Sequence, residues 1–343
     1  MSDADLTATG NVLERPVGHD TVVARLERLA AIPSGPAAGP GAGVPHAALL
    51  VGPAGVGKYR TALWWAARLK CERAAGTICD PACPSCLQIA AGSHPDLRTL
   101  EPLEEGKQIG IDPVRHLIQS MSLKPLRPGP RVAIVREAHL LGVHAQSAML
   151  KLLEEPPGLA VIVLVTDNLA ALLPTIRSRC QTFRFGPLEN DAVESLLLEH
   201  GREPAAARQA AALARGSAGR ALACSAEQIE DRDELVLGFE RLRTGEAQAV
   251  EPLTAELVER RKKGRGGLDT LYEWGMKKVE ASLGYGGHEE SGTLAAILHD
   301  LSADDTRALL EHARRIHFTI GALDQNANAR LAIRDLLLSI RAR

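Results

Sequence analysis

The chain has 343 residues, 45% of them hydrophobic and 24% charged, with 40 Lys and Arg against 42 Asp and Glu. That length suggests two or three domains, with cores large enough to form without disulfides. A net charge of −2 argues against a surface that is basic all over. Three Trp, three Tyr and four Phe are too few for a stacking platform along a single strand.

No apolar run reaches the roughly 20 residues of a membrane span. The acidic start Met1-Ser2-Asp3-Ala4-Asp5 is unlike a signal peptide. The expectation is a cytoplasmic chain with reduced thiols and no membrane partner.

In chain order, apolar residues Val22, Val23, Leu26, Leu29 and Ala30 predict a helix over Thr21–Ala31. Residues 33–45, rich in Pro, Gly and Ala, read as a surface loop. The apolar run Ala47–Val51 predicts a buried strand, followed at once by Gly52-Pro53-Ala54-Gly55-Val56-Gly57-Lys58 and a helix from Tyr59 to Leu69. Val132–Val135 and Val161–Val165 read as two more buried strands, each flanked by helix. Short buried runs alternating with helices indicate a parallel sheet covered on both faces. After about residue 185 no strand-like run appears. Segments 188–200, 204–215, 218–224 and 227–243 read as helices, and a last helix is predicted near 328–342.

Four motifs could carry chemistry. Gly52-x-x-x-x-Gly57-Lys58, between a strand and a helix, has the form of a P-loop. Its glycines Gly52, Gly55 and Gly57 let backbone N–H groups curl around phosphate, and Lys58 and the helix start add positive charge. The hydroxyl that ordinarily follows the lysine and ligates Mg²⁺ is replaced by Tyr59. A phenol is too long and too weak a donor for that task. Nucleotide binding survives such a change better than hydrolysis does.

Cys71, Cys79, Cys83 and Cys86 form the second motif. Four thiolates ending in C-x-x-C suit a closed tetrahedral zinc site of structural type, with four free thiols as the bland alternative. His94, close by, reads as a structural residue in a turn with Pro95 and Asp96. Cys180 and Cys224 stand apart, and Cys224 reads as a small buried hydrophobe.

The third motif is the end of the 132–135 strand. A hydrolytic P-loop protein places Asp there for Mg²⁺ and Glu beside it to activate water. Here the pair is Arg136-Glu137, and an arginine opposes the ion. Glu137 is then either a site residue or only the start of a surface helix. The fourth motif, Pro174-Thr175-Ile176-Arg177-Ser178-Arg179-Cys180, offers two arginines able to stabilise phosphoryl charge, although arginines in such a place are commonly plain surface charge.

Taken in order, Gly52–Lys58, the four cysteines, His94-Pro95-Asp96-Leu97, Ala148–Pro157 and Leu173–Cys180 resemble the bacterial DNA polymerase III clamp-loader subunits of the AAA+ superfamily. The resemblance is strong over about residues 12–225 and weaker in the helical remainder. It implies an α/β P-loop (RecA-like) core with an inserted zinc module, followed by two all-α domains. Residues 1–185 would be the core, with the zinc module at 71–86. Residues 186–245 would be a helical lid, and 246–343 a collar that joins subunits into a ring.

The resemblance also assigns roles. Lys58 and the loop glycines would contact the phosphates of ATP or ADP. Thr166 would sit at the sensor-one position and Arg220 near sensor two. Arg179 would be an arginine finger acting in trans on a neighbour's ATP. Zn²⁺ would be structural, and Mg²⁺ binding is doubtful.

Two subunit types share this pattern, the ATP-hydrolysing gamma/tau motor and the delta prime type. Tyr59 and Arg136 remove both expected Mg²⁺ contacts, which favours delta prime, with gamma/tau and delta subunits, the sliding clamp and primer–template DNA as partners. A divergent gamma/tau-type ATPase is the alternative within the family. A zinc-containing DNA-binding module with a decayed P-loop is the alternative of another class.

Overall fold

The computed structural model describes residues 14–30, 44–72, 82–104, 106–262, 267–283, 303–325 and 327–341. The chain divides into two compact units, Met1–Ala207 with Leu213–Ala223, and Arg208–Ala212 with Cys224–Arg343.

The first unit is built on five parallel strands. In chain order its elements are α1 (Asp20–Ala30), β1 (Ala47–Val51), α2 (Lys58–Lys70), α3 (Pro84–Ala90), β2 (Leu97–Leu100), α4 (Ile111–Met121), β3 (Arg131–Val135), α5 (Val143–Glu154), β4 (Ala160–Thr166), α6 (Pro174–Arg179), β5 (Gln181–Arg184), α7 (Asn190–Glu199), α8 (Pro204–Ala214), which carries residues of both units, and α9 (Ala218–Ala223). The sheet order is β2-β3-β4-β1-β5.

Alternate residues of the central strands enter two separate cores. Ala48, Leu50, Val132, Ile134, Val163 and Val165 pack with Leu26 of α1 and Trp65 of α2. Ala47, Leu49, Ala133, Val135, Ile162 and Leu164 pack with Leu117 of α4 and Met149 of α5. A strand buried on both faces has no polar side to display, so β1, β3 and β4 read as unbroken apolar runs. The indole N–H of Trp65 donates to the Leu26 carbonyl at 3.1 Å, tying α1 to α2.

Continuous apolar runs mark the three central strands but not β2 and β5. Both are edge strands with polar residues, Arg98 and Thr99 in one, Gln181 and Arg184 in the other. Their short, half-exposed pattern lacks the apolar signature. The helices at 188–200, 204–215 and 218–224 appear within a residue or two of the expected bounds as α7, α8 and α9.

The parallel order brings three strand ends to one edge. β1 lies between β4 and β5, and Val51 is in register with Thr166. β3 lies on the other side of β4, with Val135 in register with Leu164. Loops leaving the carboxyl ends of β1, β3 and β4 therefore meet, where parallel α/β sheets place their ligands.

The second unit is helical in its described residues: α10 (Ala226–Arg243), α11 (Val250–Lys262), α12 (Leu268–Ser282), α13 (Ala303–Asp324) and α14 (Ala329–Arg341). Its core includes Leu235, Phe239, Leu253, Leu271, Trp274, Ile316 and Leu337. Phe239 meets Trp274 edge to face at 5.9 Å between ring centroids. Buried Lys278 pairs with Glu240 at 2.9 Å, and its ammonium lies 4.3 Å from the Trp274 ring centroid. Among the described residues, no helix is long and apolar enough to cross a membrane.

Candidate functional site

The Gly52–Lys58 loop leaves β1 and enters α2. A side chain at Gly52 would meet the Phe185 carbonyl at 2.3 Å, and one at Gly55 would meet Ser217 Oγ at 2.3 Å. Gly55 and Gly57 also take left-handed backbone, φ +73° and +92°, which glycine adopts without strain. The loop is pinned from outside. Ser217 Oγ donates to the Ala54 carbonyl at 3.0 Å, and the Gly219 N–H donates to the Gly55 carbonyl at 2.8 Å.

Lys58 is buried, and its ammonium donates to the carbonyl of Gly52 at 2.7 Å and to that of Pro53. Glu137, at the end of β3, has a left-handed backbone at φ 46°. Non-glycine residues held in that region are strained and cluster at functional sites.

Gly55, Gly57, Lys58, Tyr59, Glu137 and Thr166 line one cavity of about 380 Å³. Six residues singled out in the sequence thus converge from three strand ends. Thr166 is buried, and its hydroxyl donates to the Asn168 carbonyl and accepts from the Asn168 N–H, both at 3.2 Å.

Gly52, Arg220 and Arg179 do not line the cavity. Gly52 is packed against Phe185. Arg220 is exposed, and α9 presents Ala218, Gly219 and Leu222 to the cavity instead. Arg179 ends α6, partly exposed, with one guanidinium nitrogen on Glu154 Oε1 at 2.6 Å and another donating to the Thr175 carbonyl at 3.0 Å.

The sequence did not single out two cavity residues, His139 and Asp167, or two neighbours of the loop, Ser217 and His19. His139 lies against Asp167, Nδ1 to Oδ1 3.0 Å. Ser217 anchors the loop from outside. His19 approaches the Val56 carbonyl at 3.1 Å, and burial above all lowers its pKa, favouring the neutral ring. His139 stands two residues after Glu137, and that spacing is the one signal that could have found it.

The two positions that depart from a hydrolytic P-loop touch each other. The Arg136 guanidinium carbon lies 4.3 Å from the Tyr59 ring centroid, and Nη1 donates to Glu101 Oε2 at 2.6 Å. The cation faces the π-cloud while held by a carboxylate. A buried arginine thus follows β3 where a hydrolytic P-loop protein places a carboxylate for Mg²⁺. The next hydroxyl on α2, Thr61, donates to the Gly57 carbonyl at 2.9 Å.

Away from the cavity, the sulfurs of Cys71, Cys83 and Cys86 all lie within 4.8 Å of one another. Tetrahedral zinc thiolates, with Zn–S about 2.3 Å, have sulfurs about 3.8 Å apart. The donor set therefore fits zinc. Burial pushes the Cys83 thiol up, but backbone N–H groups of Cys86 and Glu72 outweigh it and hold its pKa below the ordinary value. Cys79, the fourth expected ligand, lies outside the described residues. Cys180 is apart from this group, and burial pushes its thiol up to about 12. Cys224 is half-buried rather than fully buried.

His94 has the structural role expected of it. Its Nδ1 accepts the Asp96 N–H at 3.1 Å, and its Nε2 lies 3.4 Å from Ser85 Oγ. Asp96 is a buried hub. It accepts from Lys70 Nζ at 2.9 Å, from the N–H groups of Leu126 and Arg127 at 2.9 and 2.8 Å, and pairs with Arg131 at 3.4 Å. Burial raises its pKa, but these donors outweigh that and hold it below the usual carboxylate value.

The loop, the strand ends and the cavity define the first unit as a P-loop α/β core. Residues 42–189 match the family described as DNA polymerase III, delta subunit. DNA polymerase III subunit delta' of Pseudomonas aeruginosa is 44% identical over 135 residues, 39% of this chain and 41% of that one. Subunit tau of Bacillus subtilis is 33% identical over 150 residues, 43% of this chain and 26% of that one. A solved DNA polymerase III gamma subunit-related protein from Thermotoga maritima aligns over 93% of this chain and 98% of that one, at 19% identity and a TM-score of 0.46. In its matched core the chain is similar to the bacterial DNA polymerase III subunits delta' and gamma/tau, and it spans less than half the length of these two curated proteins.

Proposed function

We propose that the chain is a delta'-type subunit of a bacterial clamp loader. In the cytoplasm it joins gamma/tau and delta subunits, helps open the sliding clamp and helps place it on primer–template DNA. It lends Arg179 to the ATP of a neighbouring motor subunit and does not turn over ATP itself.

One observation carries this reading. Arg136 and Tyr59, stacked at 4.3 Å, occupy the corner that a hydrolysing subunit keeps for Mg²⁺, while Arg179 stands partly exposed and away from the chain's own cavity. An arginine that meets transition-state charge more strongly than ground-state charge accelerates phosphoryl transfer. Placed outward, it can do so only for another subunit. The helices from 186 to about 245 would serve as the lid, those from 246 to 343 as the collar, and Arg220 would approach nucleotide only in the assembled ring.

Cys71, Cys83 and Cys86, with Cys79 as fourth ligand, would hold a structural zinc ion. When bound it would tie α3 to the end of α2. Elemental analysis should find about one zinc per chain, and Cys83→Ser should abolish it; full occupancy in that variant contradicts the assignment.

The functional test is reconstitution with the motor and delta subunits of the same organism. Clamp loading on primed DNA should require this chain, and Arg179→Ala should lower DNA-stimulated ATPase while assembly persists. Robust Mg²⁺-dependent turnover by the chain alone, blocked by Lys58→Ala, would move it to the motor class.

A further inference from the structure

The cavity beside the P-loop keeps its anion-binding parts, and a guanidinium takes the position after β3 where a hydrolytic P-loop protein keeps a carboxylate for Mg²⁺. Lys58 and Arg136 are buried, at 6% and 8% exposure, and both line it. With Arg60 they face two acidic lining residues, Glu137 and Asp167, and Asp167 is paired with His139. Arg136 is itself paired with Glu101 at 2.6 Å and Arg60 lies 4.0 Å from Glu14, so what the cavity offers a polyphosphate is the two buried cations beside the loop, Lys58 and Arg136, rather than a net positive lining. The cavity, about 380 Å³, lies within the size range of small-molecule and cofactor sites.

We propose that Arg136 replaces the divalent ion, so that the cavity binds a nucleoside di- or triphosphate free of metal. Tyr59 is the ledge on which the guanidinium lies, 4.3 Å from ring centroid to Cζ, and Glu101 fixes its far side at 2.6 Å. A guanidinium matches phosphate oxygens in geometry and cannot lose its charge. It would neutralise the terminal phosphates beside Lys58 without supplying the Lewis acid that hydrolysis uses. Lys58 would exchange the Gly52 and Pro53 carbonyls for phosphate oxygens. The chain would thus hold nucleotide as a fixed structural ligand. This inference goes beyond the clamp-loader role and stands or falls apart from it, because Arg179 lies outside the cavity.

The test is calorimetric titration of the full chain with ADP and with ATP, in EDTA and in excess Mg²⁺. Binding should occur in EDTA, and Mg²⁺ should leave it unchanged or weaken it. Arg136→Gln should weaken metal-free binding about tenfold, the scale of one charge-assisted contact. Tyr59→Thr, which restores a short hydroxyl, should shift the ratio of the two affinities toward the Mg²⁺ form. No binding in EDTA, or binding tightened tenfold or more by Mg²⁺ in the unmodified chain, overturns the proposal. That wild-type comparison needs no variant to fold.

Discussion

Arg136 and Arg179 are both bound by a glutamate at 2.6 Å, yet the fold uses them in opposite ways. The Arg136 side chain is 9% exposed, clamped between Glu101 and the Tyr59 ring, and turned to the chain's own cavity. That of Arg179 is 37% exposed, at the end of the six-residue helix α6, held among the described residues by Glu154 and a backbone carbonyl. A buried cation needs its partners, because leaving it unpaired is expensive. An exposed one can exchange its partner for another anion at small cost. The first arrangement fixes a site and the second leaves a group ready to meet a neighbour.

Asp96 gives the largest expected effect and tests the buried half of the contrast. Asp96→Ala leaves Lys70 and Arg131 without their shared carboxylate. The loss should be about 3–5 kcal/mol, read as a lower denaturation midpoint. Asp96 is also expected to shape the acid limb of stability. Its folded pKa lies below the unfolded value of about 3.9, so its contribution is present above that pH and is lost as pH falls through the folded pKa. In Asp96→Asn that acid-dependent part should vanish, leaving a flatter profile below about pH 4.

A smaller effect is expected at the loop. Gly55→Ala forces φ +73° on alanine and drives its Cβ to 2.3 Å from Ser217 Oγ. It should cost about 1–3 kcal/mol in thermal unfolding. The exposed half gives the smallest effect. Glu154→Gln should change stability by less than about 1 kcal/mol. A loss as large as that of Asp96→Ala would mean that Arg179 is a structural clamp and would erase the contrast.

How much of this the sequence displays follows from burial and distance along the chain. β1, β3 and β4 are legible because both faces are buried, so they are apolar but for Arg131 at the start of β3 and Thr166 at the end of β4. β2 and β5 are not, because edge strands carry Arg98, Thr99 and Gln181. The P-loop is legible because its parts are contiguous. Tyr59 and Arg136 are each legible as departures, but their contact joins two elements 77 residues apart, and nothing local announces it. The same holds for Ser217, 163 residues from the Ala54 carbonyl it binds. Arg220 is exposed, and α9 turns Ala218, Gly219 and Leu222 to the cavity. The cysteine cluster is legible from spacing, and its three described thiols, Cys71, Cys83 and Cys86, lie together.

The central claim is that this chain completes a neighbour's site and does not hydrolyse at its own. The most direct measurement compares two variants in the reconstituted loader with DNA and clamp, Arg179→Ala and Lys58→Ala. Arg179→Ala should slow ATP turnover at the interface it serves by about 10³-fold, while Lys58→Ala should leave turnover in place. The reverse pattern, turnover lost with Lys58→Ala and kept with Arg179→Ala, would contradict that claim.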